Sequence, residues 1–466
     1  MKITLIKEVR QALTLRRSDV TDSDGRSRER YRRMLLTSIT GPITSGCGFL
    51  SFLITVPLTL RYLGPERYGA WMSLSALMVF LRFSDLGLGN GLVGAISQAE
   101  GRGDRLYAKR AISSVLVCLC IVSVVLLITF PISTHFIHWD YVLGLGSLKD
   151  RGEIQAAILV FVALYSIGIP VNMVQQVQRS LQQGYISNFW VAGGSLLSLA
   201  GVYIAAIHHA RIPWLVAIIS GVPLLPALAN GFTLYFIQRP DLRPSLRDFD
   251  KEAAKELLRK GMLFLGLGIA GALAFDSQTI AIAHILGPPA VGVYAVVQRL
   301  YSMIPLIVAY VSMPLWPAFG EALGGREWPW IARALRRGIT VNGVIATVLA
   351  FVLFVFSGPI LLHWTHGAIF ASRWLLAGFS VWAVVSAVSS PICMLLNAAH
   401  VLWFQLVSSI LFGVLAIMSI VCLLPSVGLP AVVWSMTLVY LATQLGPYVI
   451  YLRFVFFAQV SSKAMI

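Results

Sequence analysis

Four ionisable residues stand inside otherwise apolar runs: Arg82 and Asp85 in one run, Asp276 in a second and Arg299 in a third. A charge at membrane depth is costly, so such groups pair with one another or face a polar cavity. Arg82 and Asp85 are three residues apart, which on a helix puts them on one face. They read either as a self-neutralising structural pair or as a phosphate-binding guanidinium tuned by a carboxylate. Asp276 lies in AFDSQT, where Ser277, Gln278 and Thr279 supply oxygens beside its carboxylate. Burial favours the neutral form of a carboxylate, so this position suits reversible binding of a proton, and the oxygens suit sodium equally. Asp276 and Asp85 are therefore the candidate ion-coupling residues, with a salt bridge from Asp276 to Arg299 as the competing account. Arg299, in VVQRLYS, could instead meet a phosphate, whose oxygens match the guanidinium fork.

Asp85 also opens the stretch DLGLGNG, residues 85–91. Gly87, Gly89 and Gly91 weaken a helix there, and irregular backbone at membrane depth is tolerated only against protein or a water-lined cavity. A hinge or a cavity wall is expected at these three glycines. Asn90, in the same stretch, joins Arg82 and Arg299 as a candidate substrate-binding residue. Gln175, Gln176, Gln178, Gln182 and Gln183 crowd the inner end of one expected span. Gln175 and Gln176 are the candidates for hydrogen bonds to a hydroxyl-bearing substrate, although interfacial polarity accounts for the cluster equally well. No catalytic or metal-binding set is found. The chain has no G-x-x-x-x-G-K-[ST], HExxH or GxSxG, so no nucleotide or other cofactor is expected, and ATP is not the direct energy source. The five cysteines lie in apolar runs without paired spacing and read as packing residues.

The elements that must hold these residues follow from composition. Of the 466 residues 57% are hydrophobic and only 12% charged, about half the charged share of a soluble domain. Apolar runs of roughly 20 residues each suit helical spans. They fall near 36–60, 68–96, 108–130, 154–176, 187–207 and 214–237, then near 262–284, 291–316, 338–358, 374–396, 402–423 and 430–452. The net charge of +16 does not signal nucleic acid, because the basic residues lie in alternate connections and not on one polar face. With the N-terminus inside, 28 Lys and Arg fall on inner segments and 6 on outer ones, which puts both termini in the cytoplasm. Many of the twelve Trp, among them Trp214, Trp316 and Trp374, lie near span ends, as an interfacial belt would.

The expected organisation is a basic N-terminal segment (1–35), a six-helix lobe (36–237), a linker (238–261), a second six-helix lobe (262–453) and a short tail (454–466). In the linker, Leu246, Phe249, Ala253, Leu257 and Leu258 recur at helical spacing among Arg247, Lys251, Lys255, Arg259 and Lys260. This reads as an amphipathic helix on the inner leaflet, contacting membrane lipids, or as a solvated connector. The halves repeat one another at an offset of 223 residues: Leu63-Gly64-Pro65 and Gly69 return as Leu286-Gly287-Pro288 and Gly292. Ala99, Gly101, Arg110 and Ala111 likewise return as Ala322, Gly324, Arg333 and Ala334. Six spans per half is an even number, so the repeats share one orientation across the membrane. The fold class is all-α and polytopic, with about twelve spans in two parallel lobes.

The stretch YLGPERYGAWMSLSALMVFLRFSDLGLGNGLVGAISQAEGRG, residues 62–103, resembles the Wzx-type polysaccharide flippases, which translocate O-antigen and exopolysaccharide units. FDKEAAKELLRKG before the seventh span and LGPPAVGVYAVVQRL in the second half resemble them too. The chain departs from the family at Gly261-Met262-Leu263, where Gly-Leu-Pro is usual. The superfamily also holds multidrug exporters of the MATE class. The resemblance implies a two-lobed, MATE-like transporter of the bacterial inner membrane that works by alternating access. Its implied substrate is an oligosaccharide on undecaprenyl pyrophosphate, with proton or sodium coupling and a polysaccharide polymerase as candidate partner. An ion-coupled drug or metabolite exporter is the alternative, and a membrane glycosyltransferase or polymerase a weaker one.

Overall fold

The computed structural model describes residues 23–81, 83–134, 136, 151–365 and 369–456, without the side chains of Ser23, 65–80, Arg151, Asp276 and Trp364. Among these residues there is no strand, and eleven helices are long and apolar enough to cross a membrane. The chain divides into two compact units, Met1–Met262 and Leu263–Ile466.

The first unit opens with α1 (Ser23–Leu81), a helix broken at Gly64, whose φ of 76° and ψ of 168° lie outside the helical region. Only glycine adopts that backbone without strain, and Pro65 then restarts the helix with its fixed φ. After a turn over Phe83–Gly87 come α2 (Leu88–Arg102) and α3 (Arg105–Ser133). Next are α4 (Arg151–Val171), α5 (Met173–Ser180), α6 (Gly184–Ile207), α7 (Ile212–Gly221) and α8 (Leu224–Phe232). The second unit repeats this order. Gly287, at φ 84° and ψ 170°, matches Gly64 and precedes α10 (Pro288–Tyr301), which follows the long α9 (Lys251–Ile285). Then come α11 (Met303–Ser312), α12 (Leu315–Gly324), α13 (Trp328–Trp364), α14 (Arg373–Ala398), α15 (Leu402–Val427) and α16 (Pro430–Tyr440).

Turn geometry confirms the sequence repeat and extends it. Gly103 and Arg326 both have positive φ, and α3 and α13 both begin two residues later, keeping the offset of 223. Farther on, the positive φ of Gln182 returns at His400, and the helices that follow start at Gly184 and Leu402, an offset of 218. Most of the register change falls within one span, which runs Arg151–Ser180 across α4 and α5 but only Arg373–Ala398 in its counterpart α14. The expected second span falls on 65–102, where the Phe83–Gly87 turn interrupts it.

Each unit has its own core. Leu92, Ile96, Ile112, Val115, Val177 and Leu257 are fully buried in the first, and Val297, Ile304, Ile420 and Val432 nearly or fully so in the second. Phe52, Ile121, Phe189, Phe351 and Ile410 are more than half exposed, as suits faces turned to lipid. Small and polar groups join α1 to α6: Thr44 donates to the Asn188 carbonyl (2.9 Å), Asn188 Nδ2 donates to Thr40 Oγ1 (2.9 Å), and Ser51 donates to the Ser195 carbonyl (3.3 Å). Such bonds tie helices together where apolar burial gives no advantage over lipid. Trp316 is buried against Phe264, with ring centroids 5.3 Å apart, so it packs inside its unit and does not belong to an interfacial belt.

The linker is not a separate amphipathic helix. Residues 240–242 and 246–248 form single 3-10 turns, and α9 begins at Lys251 and runs without interruption past 261. Proline at 240 and 244 and the Ser245 and Asp250 turn caps explain the irregular course. Segment 239–250 is a strap bound to the first unit. Arg239 pairs with Glu100 (2.7 Å) and Asp241 (2.9 Å), and Lys109 with Asp248 (2.9 Å). Ser113 Oγ accepts from the Ser245 N–H (3.1 Å), and Ser114 Oγ accepts from the Asp250 N–H (3.0 Å) while donating to the Asp250 carbonyl (3.1 Å). The hydrogen bond from Arg239 holds the Asp241 carboxyl below its ordinary pKa.

Candidate functional site in the first unit

The Phe83–Gly87 turn places Asp85 at the wall of a cavity of about 320 Å³. Leu86 and Gly87 both take positive φ (52° and 69°), which breaks the helix before α2. Asp85 Oδ1 accepts the Gly87 N–H at 3.0 Å and so stabilises the turn that carries it. Asp85 is thus not on a helix face three residues from Arg82, because the glycine-rich sequence ends the helix first. Arg82 itself lies outside the described residues.

Across the cavity, Pro170 leads into a break between α4 and α5, and Asn172 and Gln176 on either side of Met173 line the wall. Gly89 brings α2 close: a Cβ there would lie 3.2 Å from Asp85 Oδ2 and 3.2 Å from Gln176 Cγ. Ser220 of α7 and Tyr165 of α4 complete the polar lining, and the Tyr165 hydroxyl donates to the Leu81 carbonyl. Gln176 Oε1 and Ser220 Oγ are buried without a hydrogen-bond partner among the described residues. Unsatisfied buried oxygens are rare and call for a water, ion or ligand. One carboxylate, two unpartnered oxygens and the Asn172 amide can hold a small cation or exchange a proton.

The structure therefore brings Asp85, Gly89 and Gln176 together. Gly87 forms the break, whereas Gly91 is buried, its position for a Cβ 3.3 Å from the Leu257 carbonyl of α9. Asn90 is half-buried and does not line the cavity. Gln175 Nε2 donates to Asn172 Oδ1 (2.9 Å) and orients that amide. Gln178 is fully buried in a reciprocal amide pair with Asn230 (2.6 and 2.9 Å), a structural use of that glutamine. Sequence reasoning missed Asn172, Ser220 and Tyr165; the polar residue two positions after Pro170 was the available signal for Asn172.

In the second unit Asp276 lies within α9, and its side chain is outside the described residues. Its neighbour Gln278 is buried, accepting from the Tyr294 hydroxyl (2.7 Å) and donating to the Ala274 carbonyl (3.0 Å). Gln278 and Tyr294 line a cavity of about 170 Å³ with Gln298, Tyr301, Ser302 and Trp382. Arg299 is exposed on α10.

The family model for polysaccharide biosynthesis proteins matches residues 42–323, more than half of the chain. The chain belongs to this family. A second model, MatE, matches residues 272–401. Among curated proteins, the "Putative O-antigen transporter" of Salmonella typhi is 24% identical over 323 residues, covering 67% of this chain and 68% of that protein. The "Putative O-antigen export protein" of Yersinia pseudotuberculosis is 21% identical over 313 residues, covering 66% and 69%. Among solved structures, an outward-facing multidrug resistance MATE transporter of the MOP superfamily aligns with a TM-score of 0.75 at 15% identity, covering 93% of this chain and 97% of that one. A MOP superfamily transporter from Pyrococcus furiosus aligns with a TM-score of 0.73 at 16% identity, covering 89% and 94%. This member of the polysaccharide biosynthesis family is a multi-pass membrane protein with a MATE-like, all-α fold.

Proposed function

We propose that the chain flips lipid-linked oligosaccharide units across the bacterial inner membrane for surface polysaccharide synthesis, as a transporter and not an enzyme. The observation that carries this is the polysaccharide biosynthesis match over 42–323 on a chain whose fold is that of MATE transporters. Relatives named for O-antigen transport and export point to the same substrate class. In this proposal Arg82 and Arg299 meet the phosphates of an undecaprenyl-pyrophosphate carrier, and Asn90, Gln175 and Gln176 meet the sugar. Asp85 and Asp276 bind the driving proton or sodium, and Gly87 with Gly89 and Gly91 forms the moving joint. A ligand drives such a change only through unequal affinity for two states. The cavity around Asp85 supplies a place where that inequality can arise, since its carboxylate and unpartnered oxygens lie inside the helical unit. A polysaccharide polymerase would take up the product on the outer face.

The test is reconstitution in proteoliposomes with a fluorescent polyprenyl-pyrophosphate oligosaccharide. Translocation should require the protein and respond to an imposed proton or sodium gradient. Transport of cationic drugs without translocation of the oligosaccharide lipid would favour the exporter alternative, to which the MatE match over 272–401 lends weight.

A further inference from the structure

The outer face of the first unit carries two apolar grooves that share Leu116 of α3. One, of about 430 Å³, runs along Leu116, Cys120 and Val124 and is closed at its end by Pro244 and Leu246 of the strap. The other, of about 360 Å³, lies between Val174, Leu228, Phe232 and Phe236. The first spans Ser113 to Val125, roughly 18 Å of helix, close to the half-thickness of a hydrocarbon core.

Arg243 stands where the grooves meet. It directly precedes Pro244 of the first groove, and its guanidinium lies 4.4 Å from the centroid of Phe236 in the second. Four cations around the strap have carboxylates: Arg239 has Glu100 and Asp241, Lys109 has Asp248, Arg105 approaches Asp241 and Arg110 approaches Asp250. Arg243 and Arg247 are exposed and have no carboxylate partner among the described residues. Between them Leu246 is 82% exposed, an unfavourable place for a leucine unless apolar chains surround it.

We propose that this surface binds a diacyl anionic phospholipid of the leaflet on the strap's side. One acyl chain lies in each groove, and the phosphate that joins the chains is held by Arg243, with Arg247 beside it. Two grooves meeting at one unpaired guanidinium fit a two-chain phosphodiester and not a single-chain polyprenyl carrier. Guanidinium forks bind phosphate oxygens in pairs, and basic residues at this level of a membrane attract anionic headgroups. The proposal rests on the chain spanning a membrane and not on what it transports.

The test is native mass spectrometry of the purified full chain with equimolar phosphatidylglycerol and phosphatidylethanolamine of matched acyl chains. The parent should retain phosphatidylglycerol preferentially, and Arg243→Gln should weaken that preference about fivefold, the effect of one basic residue at an anionic surface. Arg243→Lys should keep most of it, separating loss of charge from loss of fold. Cys120→Trp should lower retention by filling the first groove while leaving the basic residues intact. Equal retention by the parent and Arg243→Gln overturns the proposal, as does an equal loss in Arg333→Gln on α13. Displacement of phosphatidylglycerol by equimolar polyprenyl phosphate shows the occupant to be wrong. Retention is read without transport, so a wrong transport reading leaves this result unchanged.

Discussion

Asp85 does two jobs with its two carboxylate oxygens. Oδ1 accepts the Gly87 N–H and fixes the turn, and Oδ2 lies within reach of the α2 backbone at Gly89, at the cavity wall. The two jobs are separable by substitution, because asparagine keeps an oxygen acceptor and loses the charge. Asp85→Asn should leave the protein folded and inserted while gradient-driven flux falls about tenfold, equivalent to ~1.4 kcal/mol of coupling. Asp85→Ala should in addition lower abundance, since the Gly87 N–H loses its partner. Proteoliposome flux and membrane abundance measured side by side check both; parental flux in Asp85→Asn would make the carboxylate structural. Asp85 stood out in the sequence because a charge in an apolar run is rare. Its partners were not, since Asn172 and Ser220 are ordinary polar residues until a proline-led break and a neighbouring helix bring them to one cavity.

At the scale of elements, α9 explains a departure from the family pattern. Where the resemblance leads one to expect Gly-Leu-Pro, this chain keeps the glycine alone, and the helix runs on through Met262 and Leu263. Gly261 is needed for contact: a Cβ there would lie 2.7 Å from the Leu86 carbonyl oxygen and 3.1 Å from Gly87 C and Leu88 N. These are backbone atoms of the Asp85 turn and cannot rotate aside as a side chain would. Gly261→Ala should therefore destabilise the protein by about 1–3 kcal/mol through overpacking. Gly271→Ala, ten residues along the same helix with nothing within 4 Å of the added carbon, should be neutral or gain roughly 0.5–1 kcal/mol of helix propensity. Thermal unfolding of the two variants in one detergent checks the contrast, and equal melting temperatures would remove the contact between α9 and the turn as a constraint. Helical periodicity made α9 readable from sequence. Of the stretch 238–261, the part from Lys251 is helical as its spacing implies, while Leu246 and Phe249 before it are not in that helix because Pro244 and the serine and aspartate caps set the strap's course.

At the scale of the whole molecule, the repeat and the charge pattern bear on topology together. Gly64 and Gly287 share one unusual backbone conformation, and α3 and α13 start at equivalent positions, as expected of repeats that cross a membrane in the same sense. That requires an even number of crossings before the second unit begins. The interrupted stretch 65–102 is the candidate for the sixth, beside the five spans that length and hydropathy give among the described residues of 24–238. The 28 basic residues on one set of connections against 6 on the other then choose the side. The strap at 239–250 is the decisive segment, because Arg239, Arg243 and Arg247 belong to the larger basic set and it is bonded to α2 and α3 of the first unit. Reporter fusions at residue 245 should be cytoplasmic and fusions at residue 145 external, with the C-terminus on the same side as 245. An external reporter at 245 would reverse the orientation and would place the phospholipid grooves in the outer leaflet. Two fusions on the same side would break the six-crossing count and, with it, the equivalence of 65–102 to the stretch Pro288–Gly324.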